Sequence, residues 1–150
     1  MDFKIIEANR SNIKQAGELF DLYRQFYKYD SDIIQSTNYI QDRIINNESK
    51  IFIAINKDNQ ALGFVQLYET FGSLDLGKII VLYDLYVKEE YRTKNIGKEL
   101  MLTSHNYAKK IKAKRIQLST AIDNFIGQSL YESLGYIRDK DFYTYDLEIE

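Results

Sequence analysis

Residues 78–87 read Lys-Ile-Ile-Val-Leu-Tyr-Asp-Leu-Tyr-Val, an almost unbroken run of strand-forming apolar residues. A run of this length is too short to cross a membrane and too apolar to leave either face wet. It predicts a central strand covered by helices on both sides. The loop Arg92-Thr93-Lys94-Asn95-Ile96-Gly97-Lys98 follows, and then a helix whose apolar side carries Ile96, Leu100, Met101, Ala108 and Ile111. The chain must therefore be an α/β structure built around a strand–loop–helix unit.

The flanking pattern fills in the rest. Residues 3–7 alternate as a short strand. Asn9 or Ser11 caps a helix with apolar positions Ile13, Ala16, Leu19, Phe20, Tyr23 and Phe26 or Tyr27, and a second helix capped near Ser36 or Thr37 covers 39–45. Strands over 51–55 and 61–68 flank the turn 57–60 as a hairpin. After the 96–111 helix come a strand over 115–120 and a helix opened by Asp123 or Asn124 and closed by Gly135. Last comes an alternating strand over 142–149. With 150 residues and no linker, repeat or low-complexity stretch, a single domain over 1–150 is expected. Its fold class is α/β (α+β), a mixed, mostly antiparallel sheet flanked by about four helices.

Composition removes several chemistries. Without cysteine there is no disulfide, thiolate nucleophile or Cys-based zinc site, and His105 alone builds neither a histidine metal site nor a Ser-His-Asp triad. No metal is expected. The N-terminus lacks an apolar signal core and no segment approaches a membrane span, so a cytoplasmic protein is the expectation. Net charge is −2, but eight Lys/Arg stand against one acid between residues 92 and 115. Lys109, Lys110, Lys112, Lys114 and Arg115 gather near a helix end, where the dipole favours cations, and lack interleaved aromatics. No nucleic-acid partner is read from them.

The loop 92–98 has no acid and opens a helix. Unpaired backbone N–H groups, the helix dipole and the cations Arg92, Lys94 and Lys98 together suit a phosphate or diphosphate. An ordinary strand-to-helix connection with solvated lysines would read the same way in isolation. A second segment, Asn124-Phe-Ile-Gly-Gln-Ser-Leu-Tyr131-Glu-Ser-Leu-Gly135-Tyr136, decides between them. Arg92-x-x-Asn95-x-Gly97, followed by Asn124 and Tyr131-x-x-x-Gly135-Tyr136, resembles the GCN5-related N-acetyltransferases over essentially the whole chain. That family usually has glycine where Asn95 stands, and asparagine is the non-glycine residue most tolerant of left-handed backbone.

The resemblance implies a sheet of about six to seven strands and acetyl-CoA as donor. It implies that Leu85, Tyr86 and Val87 pair with pantetheine as an added strand. Arg92, Thr93, Lys94, Asn95, Ile96, Gly97 and Lys98 would hold the pyrophosphate, and Asn124 would contact the cofactor chain. Tyr131 would be the general acid for the departing thiolate, a role a phenol with a pKa of ~10 can fill. On a helix of a chain with thirteen tyrosines, Tyr131 also reads as a core aromatic.

Asp84 is an acid inside an apolar strand, either a base for the attacking amine or a carboxylate bonded structurally. The acceptor is expected near Tyr27, Asp32, Gln66, Tyr68 and Tyr83, where aromatics mixed with acids suit a small cationic amine. Residues 82–87 are similar to polyamine acetyltransferases. Arg24 and Arg43 would instead favour a carboxylate-bearing amino acid or a peptide terminus. A non-catalytic acyl-CoA sensor is the other class. The apolar and aromatic strand 142–149 supplies an edge for a homodimer.

Overall fold

The computed structural model describes all 150 residues, which cluster into two compact units, residues 1–118 and 119–150. The first contains β1 (Phe3–Glu7), α1 (Ile13–Phe26), α2 (Ile33–Ile45), β2 (Lys50–Asn56), β3 (Ala61–Gly72), β4 (Gly77–Val87), α3 (Ile96–Lys110) and β5 (Ile116–Gln117). The second contains α4 (Phe125–Ser133). One sheet runs in the order β1-β2-β3-β4-β5, antiparallel throughout except for the parallel β4–β5 pair.

The sheet is covered on both faces, as the apolar runs require. Ile51, Ile53 and Ile55 of β2 join Ala16 and Leu19 of α1 and Ile40 of α2 in one buried cluster with Ala61 and Phe64. Phe52, pointing the other way, meets Tyr107 of α3 edge-on at 5.9 Å, and Ile96, Leu100 and Met101 of α3 are buried. Where α1 crosses α2, a side chain at Gly17 would come within 2.9 Å of the Thr37 Cα, so the helices approach backbone to backbone. Alternation of side chains along a strand thus assigns each residue of β2 to one helical layer.

The most enclosed strand is β3, buried continuously from Ala61 to Leu67, rather than the 78–87 run. β4 has β3 along its whole length, but its ladder to β5 covers only Ile80↔Ile116 and Val81↔Gln117. A bulge explains the change. Gln66 pairs with Asp84 and Leu67 with Leu82, so Tyr83 is an extra residue on β4. Such an insertion bends and twists the strand locally. Beyond it, the edge of β4 at residues 82–87 carries no strand.

Three expectations are corrected. α2 begins at Ile33 with Asp32 as its cap, a turn before Ser36. β5 is two residues long, where 115–120 was expected. Residues 142–149 enter no ladder, leaving five strands where six to seven were expected. Tyr143, Tyr145, Leu147 and Ile149 are each at least 85% exposed. Alternation makes a segment compatible with a two-faced strand, but only a neighbouring edge makes it one.

Candidate active site

The bulge sets the site. At the Gln66↔Asp84 pair the two side chains meet, and the Gln66 amide donates to the Asp84 carboxylate at 2.6 Å. Gln66 is itself oriented by the Ser49 hydroxyl, which donates to its carbonyl oxygen at 2.8 Å. Both members of the pair are buried, at 0% and 2% exposure. The Tyr23 hydroxyl lies within reach of both the Asp84 carboxylate and, at 3.2 Å, the carbonyl of the bulged Tyr83, and its one proton serves either acceptor. Burial raises the Asp84 pKa to about 6, against the hydrogen bonds from Gln66 and Tyr23, which work to lower it. Asp84 therefore has a carboxyl that exchanges its proton near neutral pH, and no cationic side chain offsets its charge.

Tyrosines form the surroundings. Burial raises the pKa of Tyr23, Tyr27 and Tyr68, followed by the Asp84 charge for Tyr23 and Tyr27 and by the Tyr39 hydrogen bond and then the Asp84 charge for Tyr68, so all three stay protonated. Tyr27 lies edge-on to Tyr23 at 5.1 Å, and Tyr83, 67% exposed, lies edge-on to Tyr68 at 5.9 Å. The Tyr68 and Tyr39 hydroxyls are 2.6 Å apart. Of the acceptor residues expected from sequence, Tyr27, Gln66, Tyr68 and Tyr83 gather around Asp84. Asp32 does not join them: its carboxylate accepts from the Gln35 N–H at 3.0 Å and caps α2. Tyr23 and Tyr39 were missed as site residues because helical periodicity marks them as ordinary core positions.

On the other side of β4, the stretch Leu85, Tyr86 and Val87 pairs with β3 but presents a free edge opposite it. An extended acyl-pantetheine chain can add there as a strand. The Val87 carbonyl already accepts from Arg92 Nε at 3.0 Å. The Arg92 guanidinium also sits 5.6 Å from the ring centres of both Phe26 and Tyr86, so this loop residue touches the end of α1.

The loop itself starts α3 without a side-chain cap. Asn95 takes the left-handed conformation (φ 63°, ψ 8°) that its identity predicts, and its side chain makes no capping bond. Thr93 is also left-handed (φ 62°), a costly conformation for a β-branched residue and a kind of strain that gathers at functional sites. Glu99 is the first amide of α3 with a backbone acceptor, Asn95 O at 3.0 Å, so earlier amides remain to bind an anion. Ile96 is 1% exposed and anchors the turn, so its contribution to a ligand is its N–H. Lys94 reaches back to the Glu90 carbonyl at 3.2 Å, while Gly97 and Lys98 form the first helical turn.

In the second unit, Asn124 caps α4, accepting from the Gly127 N–H at 3.1 Å and donating to the Thr120 hydroxyl at 2.9 Å. Tyr131 lies half-buried near the end of α4, its ring 6.2 Å from that of Tyr136.

The model of the Acetyltransferase (GNAT) family matches residues 16–136, and the chain belongs to that family: it is a GNAT N-acetyltransferase. An uncharacterized N-acetyltransferase of Bacillus subtilis (strain 168), YhfO, is 37% identical, with 97% of each chain covered. A spermidine N(1)-acetyltransferase of Thermoplasma acidophilum is 27% identical over 91% of each chain. Among solved structures, the crystal structure of a probable acetyltransferase superposes with a TM-score of 0.91 at 34% identity, covering 98% of both chains. No helix here is long and apolar enough to cross a membrane.

Proposed function

We propose that the chain, acting as one N-acetyltransferase domain over residues 1–150, moves the acetyl group of acetyl-CoA onto a primary amine of a small cationic molecule. The observation that carries this reading is Asp84: a buried carboxylate among tyrosines, bonded by neutral donors and paired with no cation. Such a group attracts an ammonium and then accepts its proton, directly or through water. The freed nitrogen attacks the acetyl carbonyl carbon, the C–S bond breaks, Tyr131 protonates the leaving thiolate, and the extra proton still on the nitrogen returns to the Tyr131 oxygen, directly or through water, leaving neutral amide and thiol. The chain has no cysteine to carry the acetyl group, which supports direct transfer between the two bound substrates.

Leu85, Tyr86 and Val87 align the donor, and the amides and cations of residues 92–98 take its pyrophosphate, with Asn124 touching the cofactor chain. The rings of Tyr27, Tyr68 and Tyr83 give the acceptor cation–π contact. The arginines that would favour a carboxylate-bearing acceptor are occupied. Arg43 stacks 4.4 Å over Tyr39 and pairs with Glu48 at 3.3 Å, and Arg24 stacks 4.9 Å over Tyr29. That supports the small amine over an amino acid or peptide terminus. The exposed apolar alternation of 142–149 supports a homodimer, in which a second copy would supply the neighbouring edge this segment lacks.

An acetylation screen over polyamines, amino acids and short peptides, read as released thiol, tests the reading. Polyamines should react fastest. Faster turnover of amino acids or peptides would replace the acceptor, and coenzyme A binding without any turnover would leave a sensor.

A further inference from the structure

Asp21 is a second buried carboxylate, 4% exposed, on α1 away from Asp84. It enters no ion pair and is bonded by four neutral donors. Gln25 Nε2 at 2.9 Å and the Ser31 hydroxyl at 2.7 Å reach one oxygen; the Asp32 N–H at 2.9 Å and the Ser36 hydroxyl at 2.9 Å reach the other. Burial works to raise its pKa, but these bonds outweigh burial and hold the carboxyl below its usual value. A buried charge without a countercharge is expensive, and is kept where its hydrogen bonds hold something in place.

What they hold is the junction of two helices. Gln25 belongs to the last turns of α1, Ser31 to the connection, Asp32 is the cap of α2, and Ser36 lies in its first turn. Asp32 is used twice, since its N–H bonds Asp21 while its carboxylate caps α2. Just past α1 stands Tyr27, whose hydroxyl feels the Asp84 charge. On α2 stands Tyr39, whose hydroxyl meets that of Tyr68 at 2.6 Å. Each helix thus places a tyrosine toward the Asp84 cluster, Tyr27 directly and Tyr39 through Tyr68, and Asp21 is the group to which both helices are tied.

Building on the small-amine reading above, we propose that Asp21 is a positioning residue for the acceptor. Through Ser31, Asp32 and Ser36 it fixes the spacing between Tyr27 and Tyr39, and so selects the length of amine that reaches Asp84. Asp21 touches no substrate. Its effect runs through the spacing of those two tyrosines, which binding energy over one or two methylene groups can register.

The test is a series of diamines differing by single methylenes, assayed with the parent, Asp21→Asn and Ser31→Ala. Loss of folded protein lowers kcat/KM for every amine alike, so the ratio of kcat/KM between two amines is independent of it. That ratio should fall toward unity, by about tenfold in Asp21→Asn and by a smaller factor in Ser31→Ala. KM for acetyl-CoA should stay within about twofold, because residues 92–98 keep their anchors. Should Asp21→Asn fail to fold, Ser31→Ala and Ser36→Ala, each losing one bond, carry the same comparison. An unchanged amine ratio in folded variants overturns the proposal and leaves Asp21 a purely structural ion. A parent enzyme that acetylates no amine overturns the small-amine reading instead.

Discussion

Gln66 and Asp84 oppose one another across the β3–β4 ladder and meet through a 2.6 Å hydrogen bond, immediately beside the extra residue Tyr83. Two consequences follow from this pairing. The bulge adjoins the stretch of β4 whose far edge carries no strand, and the pair beside it sets a buried carboxylate among tyrosines. Donor and acceptor sites thus share one local irregularity.

Asp84 should cost stability at neutral pH. Its folded pKa of about 6 lies above the ordinary 3.8, so the folded chain holds a proton that the unfolded chain releases between those values. Stability attributable to Asp84 is greatest below pH ~4, falls as pH rises to ~6, and stays low above that. Asp84→Asn should therefore gain on the parent by up to about 3 kcal/mol between pH 4 and pH 7. Urea unfolding at the two pH values checks this.

Removing the Gln66 amide should move Asp84 further. Gln66→Met keeps the volume but takes away a donor that lowers the carboxyl's pKa. The ascending limb of kcat against pH should shift upward by about one unit. A limb that stays in place would show that Gln66 does not act on the titrating group.

Tyr131→Phe should lower kcat by a factor of ~10² or more while leaving both KM values nearly unchanged, because the lost proton matters only as the thiolate departs. An acetyl thioester of a more acidic thiol should recover part of the loss. Equal losses with both donors would remove the general-acid role.

Asn95 sits where side chains rarely go, at φ 63°. Asn95→Gly should keep or lower KM for acetyl-CoA, whereas Asn95→Val, forced into the same conformation at a cost of about 1–3 kcal/mol, should raise it by about tenfold or more. Initial rates over a range of donor concentrations measure both.

What could be read from the chain was what is local in it. The 78–87 strand, loop 92–98 and following helix are contiguous, and asparagine at position 95 announces its own left-handed backbone. Asp84 stood out because an acid in an apolar run needs a reason. The remainder depends on long-range pairing. Tyr23 looks like a helix core position until the register of β4 brings Asp84 to its hydroxyl, Tyr39 does until β3 brings Tyr68 to it, and nothing local marks Tyr83 as the inserted residue. Asp32 reads as a pocket acid with the cap nearer Ser36, and only the start of α2 at Ile33 makes Asp32 the cap. The 142–149 alternation promised a strand, but its pairing edge is not written in the segment.

The most direct test of the account is kcat against pH, measured with the best amine from the screen, for the parent and Asp84→Asn. The parent should show an ascending limb with an apparent pKa near 6, matching the buried carboxyl. The variant should lose that limb and fall by a factor of ~10² or more. An Asp84→Asn enzyme with undiminished kcat and the same limb would contradict the assignment of Asp84 as the group that takes the amine's proton.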